Sequence, residues 1–216
     1  HFKVKEAKTG TEKTLGDIIW DEIEDTETII FDDAVDEFSM LIRSMQKTFP
    51  SKVINVTSMT KDGKVIVLAV SDQDSGADFY IYNKNDKKLA HLLNTTPWLK
   101  DRDMPTTKGI TYQSRDGLTI HAVLTLPKNT DAKNLPLIML PHGGPHGVRD
   151  TVSYSSDAKV LASRGYAVLQ PNFRGSGGFG LSFEQAGYRN WGSTMINDMT
   201  DGVLHLAEQG MIDKSR

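Results

Sequence analysis

Two places where an apolar run breaks abruptly into glycine set the tightest limit on what this chain can become. Leu137-Ile138-Met139-Leu140 runs into Pro141-His142-Gly143-Gly144-Pro145. Tyr166-Ala167-Val168-Leu169 runs into Gln170-Pro171-Asn172-Phe173-Arg174-Gly175-Ser176-Gly177-Gly178-Phe179-Gly180. Short all-apolar runs bounded by turn formers are the pattern of strands buried on both faces. A glycine-rich loop at the end of such a strand brings main-chain N–H groups close to developing negative charge. A tight turn without chemistry fits Gly143 and Gly144 equally well on these residues alone.

The nucleophile that such loops serve is missing. No serine stands in a Gly-x-Ser-x-Gly frame. Zero cysteines exclude a thiol nucleophile, disulfides and thiolate metal sites. The pattern reads as a hydrolase cut off before its catalytic residues. A net charge of −3 gives no electrostatic case for nucleic acid or an anionic membrane. The apolar stretches fall far short of a membrane span, and no signal-peptide pattern opens the chain. Compartment (cytoplasm or periplasm) and oligomeric state are left open.

Around these loops the second half reads as α/β. Ile110 to Ser114 and Thr119 to Leu126 are predicted strands joined by the hairpin turn Arg115-Asp116-Gly117. Strand 137–140, a helix over 155–163, strand 166–169 and a helix from Ser193 to Gly210 follow. Met195, Ile196, Met199, Val203, Leu206 and Ala207 form the last helix's apolar face. Asp198 and Asp201 fall off that stripe, as catalytic carboxylates or as a solvated or loop-bonding face. A strand hairpin followed by β-loop-α-β-loop-α opens a mostly parallel sheet covered on both faces.

The first half reads as antiparallel β. Strands are predicted at 28–31, 53–57, 65–70 and 79–82, separated by Asp32-Asp33, Lys61-Asp62-Gly63, Asp74-Ser75-Gly76 and 83–86. Phe38, Leu41, Ile42, Met45 and Phe49 recur at helical spacing before Pro50. Asn94 to Thr107, with two prolines and the mixed-charge run Lys100-Asp101-Arg102-Asp103, is the expected linker.

Two motifs lose on context. Gly175 to Gly180 matches G-x-G-x-x-G, but Pro171 to Arg174 separate it from its strand, against a dinucleotide fingerprint. His142 and His146 are four apart, yet the glycines and proline between them rule out the helix that zinc ligands at that spacing need. No metal and no cofactor is expected.

With these residues in view, the chain resembles the prolyl oligopeptidase family of serine peptidases, most closely its acylaminoacyl-peptidase-like branch. The resemblance rests on Ile110-Thr111-Tyr112 with Arg115-Asp116-Gly117, Leu124 to Pro127, Pro141 to Pro145, Leu161 to Val168, Pro171 to Ser176, Trp191-Gly192, Asp198 and Asp201-Gly202. Asp62-Gly63, Asp78 to Tyr82 and Met104 carry it more weakly into the first half. It implies the C-terminal part of a β-propeller over 1–106, then the N-terminal half of an α/β-hydrolase domain over 107–216. It also implies that Gly144 donates one oxyanion N–H, that His142 and Gly143 belong to the substrate-site loop, and that Arg174 lines or braces the site. The Ser, Asp and His of the triad are absent from this chain and expected downstream of Arg216. The expected activity is hydrolysis of short peptides or acyl-peptides by acyl transfer. An esterase or lipase, or a non-catalytic binding module, is the alternative; Pro145 and the β-rich first half weigh against an esterase.

Overall fold

The computed structural model describes residues 2–5, 12–21, 26–31, 37–100 and 102–216. The turn expected at Asp32-Asp33 and Asp101 of the linker run lie outside them. The chain divides into two compact units, residues 1–100 and 101–216.

In the first unit, β1 (Phe2–Lys5), β2 (Glu12–Asp21) and β3 (Thr26–Phe31) form an antiparallel sheet in chain order. Helix α1 (Glu37–Thr48) precedes a four-stranded antiparallel meander. Its strands are β4 (Val53–Met59), β5 (Val65–Ser71), β6 (Asp78–Asn83) and β7 (Lys88–Asn94). Side chains close its turns onto their own backbone. Asp62 Oδ1 accepts from Thr60 Oγ1 at 2.7 Å, and Asp72 Oδ1 accepts the N–H groups of Asp74 and Ser75 at 2.8 Å. Leu41 and Met45 of α1 pack on Ile66 and Leu68 of β5, which makes this unit's core. Strands β1, β2 and β7 were not legible in the sequence. In β7, Lys88 and the exposed His91, Leu92 and Leu93 give no buried face to read.

The second unit opens with the hairpin of β8 (Thr106–Gln113) and β9 (Thr119–Leu126), paired over their full length. Its turn is fixed by Gly117 at φ +84° and by the Ser114 hydroxyl, which accepts from Leu118 N at 2.9 Å. Strand β10 (Leu137–Met139), helix α2 (Ser156–Ala162), strand β11 (Ala167–Asn172), helix α3 (Leu181–Gln185) and helix α4 (Thr194–Glu208) complete it. The sheet order is β10-β11-β9-β8, with β10 and β11 parallel and the other pairs antiparallel. A parallel pair needs a long crossover, and α2 supplies it. One face of the sheet buries Tyr112, Ile120, Leu124, Leu169 and, from α4, Leu206. On the other, Ala158 and Ala162 of α2 meet Val168. Along the outer flank of β10, the carbonyls of Met211 and Arg216 accept from Leu135 N and Leu137 N at 3.0 and 3.3 Å.

Candidate functional site

Both glycine-rich loops leave the C-terminal ends of the parallel strands β10 and β11, the end of an α/β sheet where ligands bind. The structure joins them. Gly147 N donates to Gly175 O at 3.1 Å and Gly177 N donates to Val148 O at 3.0 Å. A Cβ on Gly177 would stand 2.6 Å from Gly147 O, so the two backbones touch where only glycine allows it.

His142 sits between the loops. Its ring stacks on Phe173, centroids 4.6 Å apart. Its Nδ1–H donates to Gly143 O at 2.8 Å, and its Nε2 lies 2.8 Å from the fully buried Ser176 Oγ. Ser176 Oγ also lies 2.7 Å from Phe173 O, so its single proton is shared between that carbonyl and His142 Nε2. The carbonyl held by His142 belongs to the same peptide unit as Gly144 N–H. That peptide is trans, so its N–H points away from the ring. Gly144 is exposed and stands at φ +127°, where a side chain is strained; an added Cβ would also press Val148 Cγ2 at 3.2 Å. Gly143 is exposed with open space about it.

Arg174 lies in the second loop with its cationic head turned inward. Its Nε and Nη2 donate to Asp198 at 2.8 and 2.7 Å, and its backbone N–H donates to Asp198 Oδ2 at 3.0 Å. Nη1 and Nη2 donate to Asp116 at 2.8 Å each. Asp201 accepts from Arg115 through both backbone and side chain. Tyr112 Oη donates to Asp198 O at 2.9 Å. The network binds the β8–β9 turn, the loop after β11 and α4 to one another. Of the solvated or loop-bonding face expected for Asp198 and Asp201, the loop-bonding part holds and the solvated part is corrected: both bond loops, and they are 0% and 8% exposed. Ile196, assigned to the apolar face, is 50% exposed instead. The helix rotates these carboxylates inward because two arginines from other elements await them there.

Charge follows from these contacts. Hydrogen bonds from Arg174, then from Ser114, hold the Asp116 carboxyl well below the usual range. The Arg115 bond lowers Asp201. Bonds from Asp198 and Asp116 raise Arg174 still further, so it stays a cation. Burial pushes Asp150 up, opposed by nearby His142 and a bond from Gln170. Asp150, whose backbone is clasped by Asn172 at 2.7 and 2.9 Å, was not singled out from sequence.

The four expected residues fall into two layers. His142, Gly143 and Gly144 share one exposed loop, and Arg174 is buried behind it. A cleft of about 430 Å³ between β8 and α4, lined by Thr111, Tyr112, Arg115, His205 and others, contains none of them.

Comparison with known proteins bears on this arrangement. Residues 152–216 match the family model for the prolyl oligopeptidase family. Dipeptidyl aminopeptidase BIII of Pseudoxanthomonas mexicana is 36% identical over 165 residues, covering 73% of this chain and 24% of that protein. Dipeptidyl peptidase family member 6 of Caenorhabditis elegans is 33% identical over 187 residues, covering 77% and 25%. A puromycin-hydrolyzing peptidase of Mycobacterium tuberculosis superposes with a TM-score of 0.63 at 22% identity, over 71% of this chain and 24% of that one, which shows a shared fold. The chain thus spans about a quarter of the length of the relatives it matches.

Proposed function

The chain belongs to the prolyl oligopeptidase family, and on that footing we propose that it supplies the oxyanion donor of a serine peptidase cleaving short peptides by acyl transfer. The observation that carries this is the Gly143–Gly144 peptide. Its carbonyl is clamped by His142, so its N–H points away from that ring, on an exposed loop at the carboxyl end of the sheet. An oxyanion donor must be oriented before charge develops, because reorientation during reaction would forfeit most of its effect. His142, itself held by Ser176 and Phe173, provides that orientation.

In this reading residues 107–216 are the first half of an α/β-hydrolase domain and residues 1–106 the end of a propeller that limits access to small peptides. The nucleophilic serine, its histidine base and the orienting acid belong to sequence outside these 216 residues. The histidine takes the serine proton, the serine oxygen attacks the peptide carbonyl, and Gly144 N–H stabilises the resulting oxyanion. Arg174 serves as a buried brace that fixes the second loop against the first. The chemistry calls for no cofactor.

The test is turnover of acyl-peptide and dipeptide anilides by the full-length enzyme, with fluorophosphonate labelling of its serine. Gly144→Val should lower kcat by roughly 10²–10³ with an unchanged circular dichroism spectrum. His142→Phe keeps a ring against Phe173 but removes the donor to Gly143 O, and should lower kcat more than it raises KM. Unchanged kcat in both variants would return these glycines to a tight turn. Labelling of a serine within the isolated 216 residues would place the nucleophile here and refute the reading.

A further inference from the structure

A group of exposed aromatic side chains adjoins Gly144 and takes no part in the chemistry described so far. Trp191, in the turn before α4, is 66% exposed, and Tyr188 is 46% exposed. Both meet His146, two residues beyond Gly144: Tyr188 edge-on with centroids 4.9 Å apart, Trp191 tilted at 6.2 Å. Val148, which borders Gly144, is a further 46% exposed. Single exposed apolar residues are ordinary, whereas a connected set beside a reacting position marks a contact surface.

Trp191 is held by a polar bond where burial would ordinarily hold an indole. Its Nε1–H donates to His146 Nε2 at 3.2 Å. That bond leaves the His146 proton on Nδ1, which is buried with no hydrogen-bond partner among the described residues. A ring bonded to the indole through one nitrogen and packed edge-on against Tyr188 points to a positional role. What it positions is the indole, whose polar edge is occupied and whose faces are left to meet something apolar. We propose that Trp191, Tyr188 and His146 form a rest for an apolar, above all aromatic, substrate side chain flanking the scissile bond. The proposal rests on the placement of the reacting carbonyl at Gly144. Continuity with that loop selects the occupant: Val148 Cγ2 and His146 N lie 3.2 and 3.3 Å from a Cβ built on Gly144, within reach of a side chain next to the reacting carbonyl.

The experiment compares the full-length enzyme with Trp191→Ala and Trp191→Phe. Two matched substrate series carry Ala, Leu or Phe, one on the acyl side of the scissile bond and one on the leaving side. Trp191→Ala should lower the Phe-to-Ala ratio of kcat/KM by roughly 2- to 13-fold in one series, and Trp191→Phe should restore most of it. N-acetyl-Phe-amide should quench tryptophan emission of the parent, and this quenching should vanish in Trp191→Ala. Equal losses for Ala and Phe in both series would overturn the proposal. So would a lowered melting temperature with unchanged selectivity, which would make the cluster a packing surface for another part of the protein. Gly144→Val keeps the two readings apart. An unaffected kcat in that variant, with the Trp191 selectivity shift still present, would remove the oxyanion assignment and leave the aromatic rest standing.

Discussion

Replacing Asp198 by asparagine should be one of the most damaging changes available to the second unit. Both carboxylate oxygens are occupied: Oδ1 accepts Arg174 Nη2, and Oδ2 accepts Arg174 Nε and Arg174 N. Asparagine presents an NH₂ group in place of one oxygen, so a donor faces donors inside a fully buried site. Arg174 would keep only Asp116, whose side chain is 48% exposed, as its counter-charge. Breaking a buried ion pair from one side destabilises by about 3–5 kcal/mol. Because Asp116 still neutralises part of the charge, the lower end applies, about 3 kcal/mol. For a chain of this size that is a fall of roughly 6–12 °C in melting temperature. Urea unfolding at pH 7, followed by tryptophan emission and circular dichroism, measures it. Arg174→Met combined with Asp198→Leu should lose less than Asp198→Asn alone, since no buried charge is left unpaired and the half-exposed Asp116 keeps Ser114 and solvent. A loss within about 1 kcal/mol for Asp198→Asn, or a double variant losing the sum of its parts, would refute the assigned role.

Acid should loosen the same network. The folded-state carboxyls of Asp116 and Asp201 titrate below their unfolded value, so their stabilisation is present above about pH 4 and is lost as pH falls through the folded values. The urea midpoint should therefore drop below that pH, less so in Asp116→Asn, and a parent midpoint flat to pH 2 would contradict it. Gly202→Ala on α4 should lose about 1–3 kcal/mol by overpacking, because its Cβ would stand 2.7 Å from Cζ and Oη of the buried Tyr112 ring; an unchanged melting temperature would show that the ring moves aside.

Sequence patterns were informative wherever one element's own residues decide its structure. The hairpin turn at Arg115-Asp116-Gly117, the apolar runs of β10 and β11 and the span of α4 came out within a few residues. Strand β11 extends further than its apolar run, through Pro171 to Asn172, because β9 continues to pair with it there. Helix α3 escaped because Leu181 to Gln185 is little more than a single turn after a glycine run. What no local pattern reveals is pairing across the chain. Nothing near Asp198 announces Arg174, and nothing near Asp201 announces Arg115, so the pattern alone does not separate a solvated stripe of carboxylates from one that bonds loops. The clamp on Gly143 was equally hidden. His142 stood out as a loop residue, but its partners Ser176 and Phe173 belong to the other loop.

Strand β10 acquires its hydrogen-bonded neighbours late. Its three residues pair with Ala167 to Leu169 on one flank, and the segment entering it is held on the other by Met211 to Arg216. Both sets of partners are translated after it, and closing such distant contacts is the slow part of assembly. The loop that carries Gly144 therefore leaves the ribosome before Phe173, Gly175 and Ser176, the partners that hold it. The Gly143–Gly144 peptide thus becomes a positioned group only when the second loop and the strand behind it are in place.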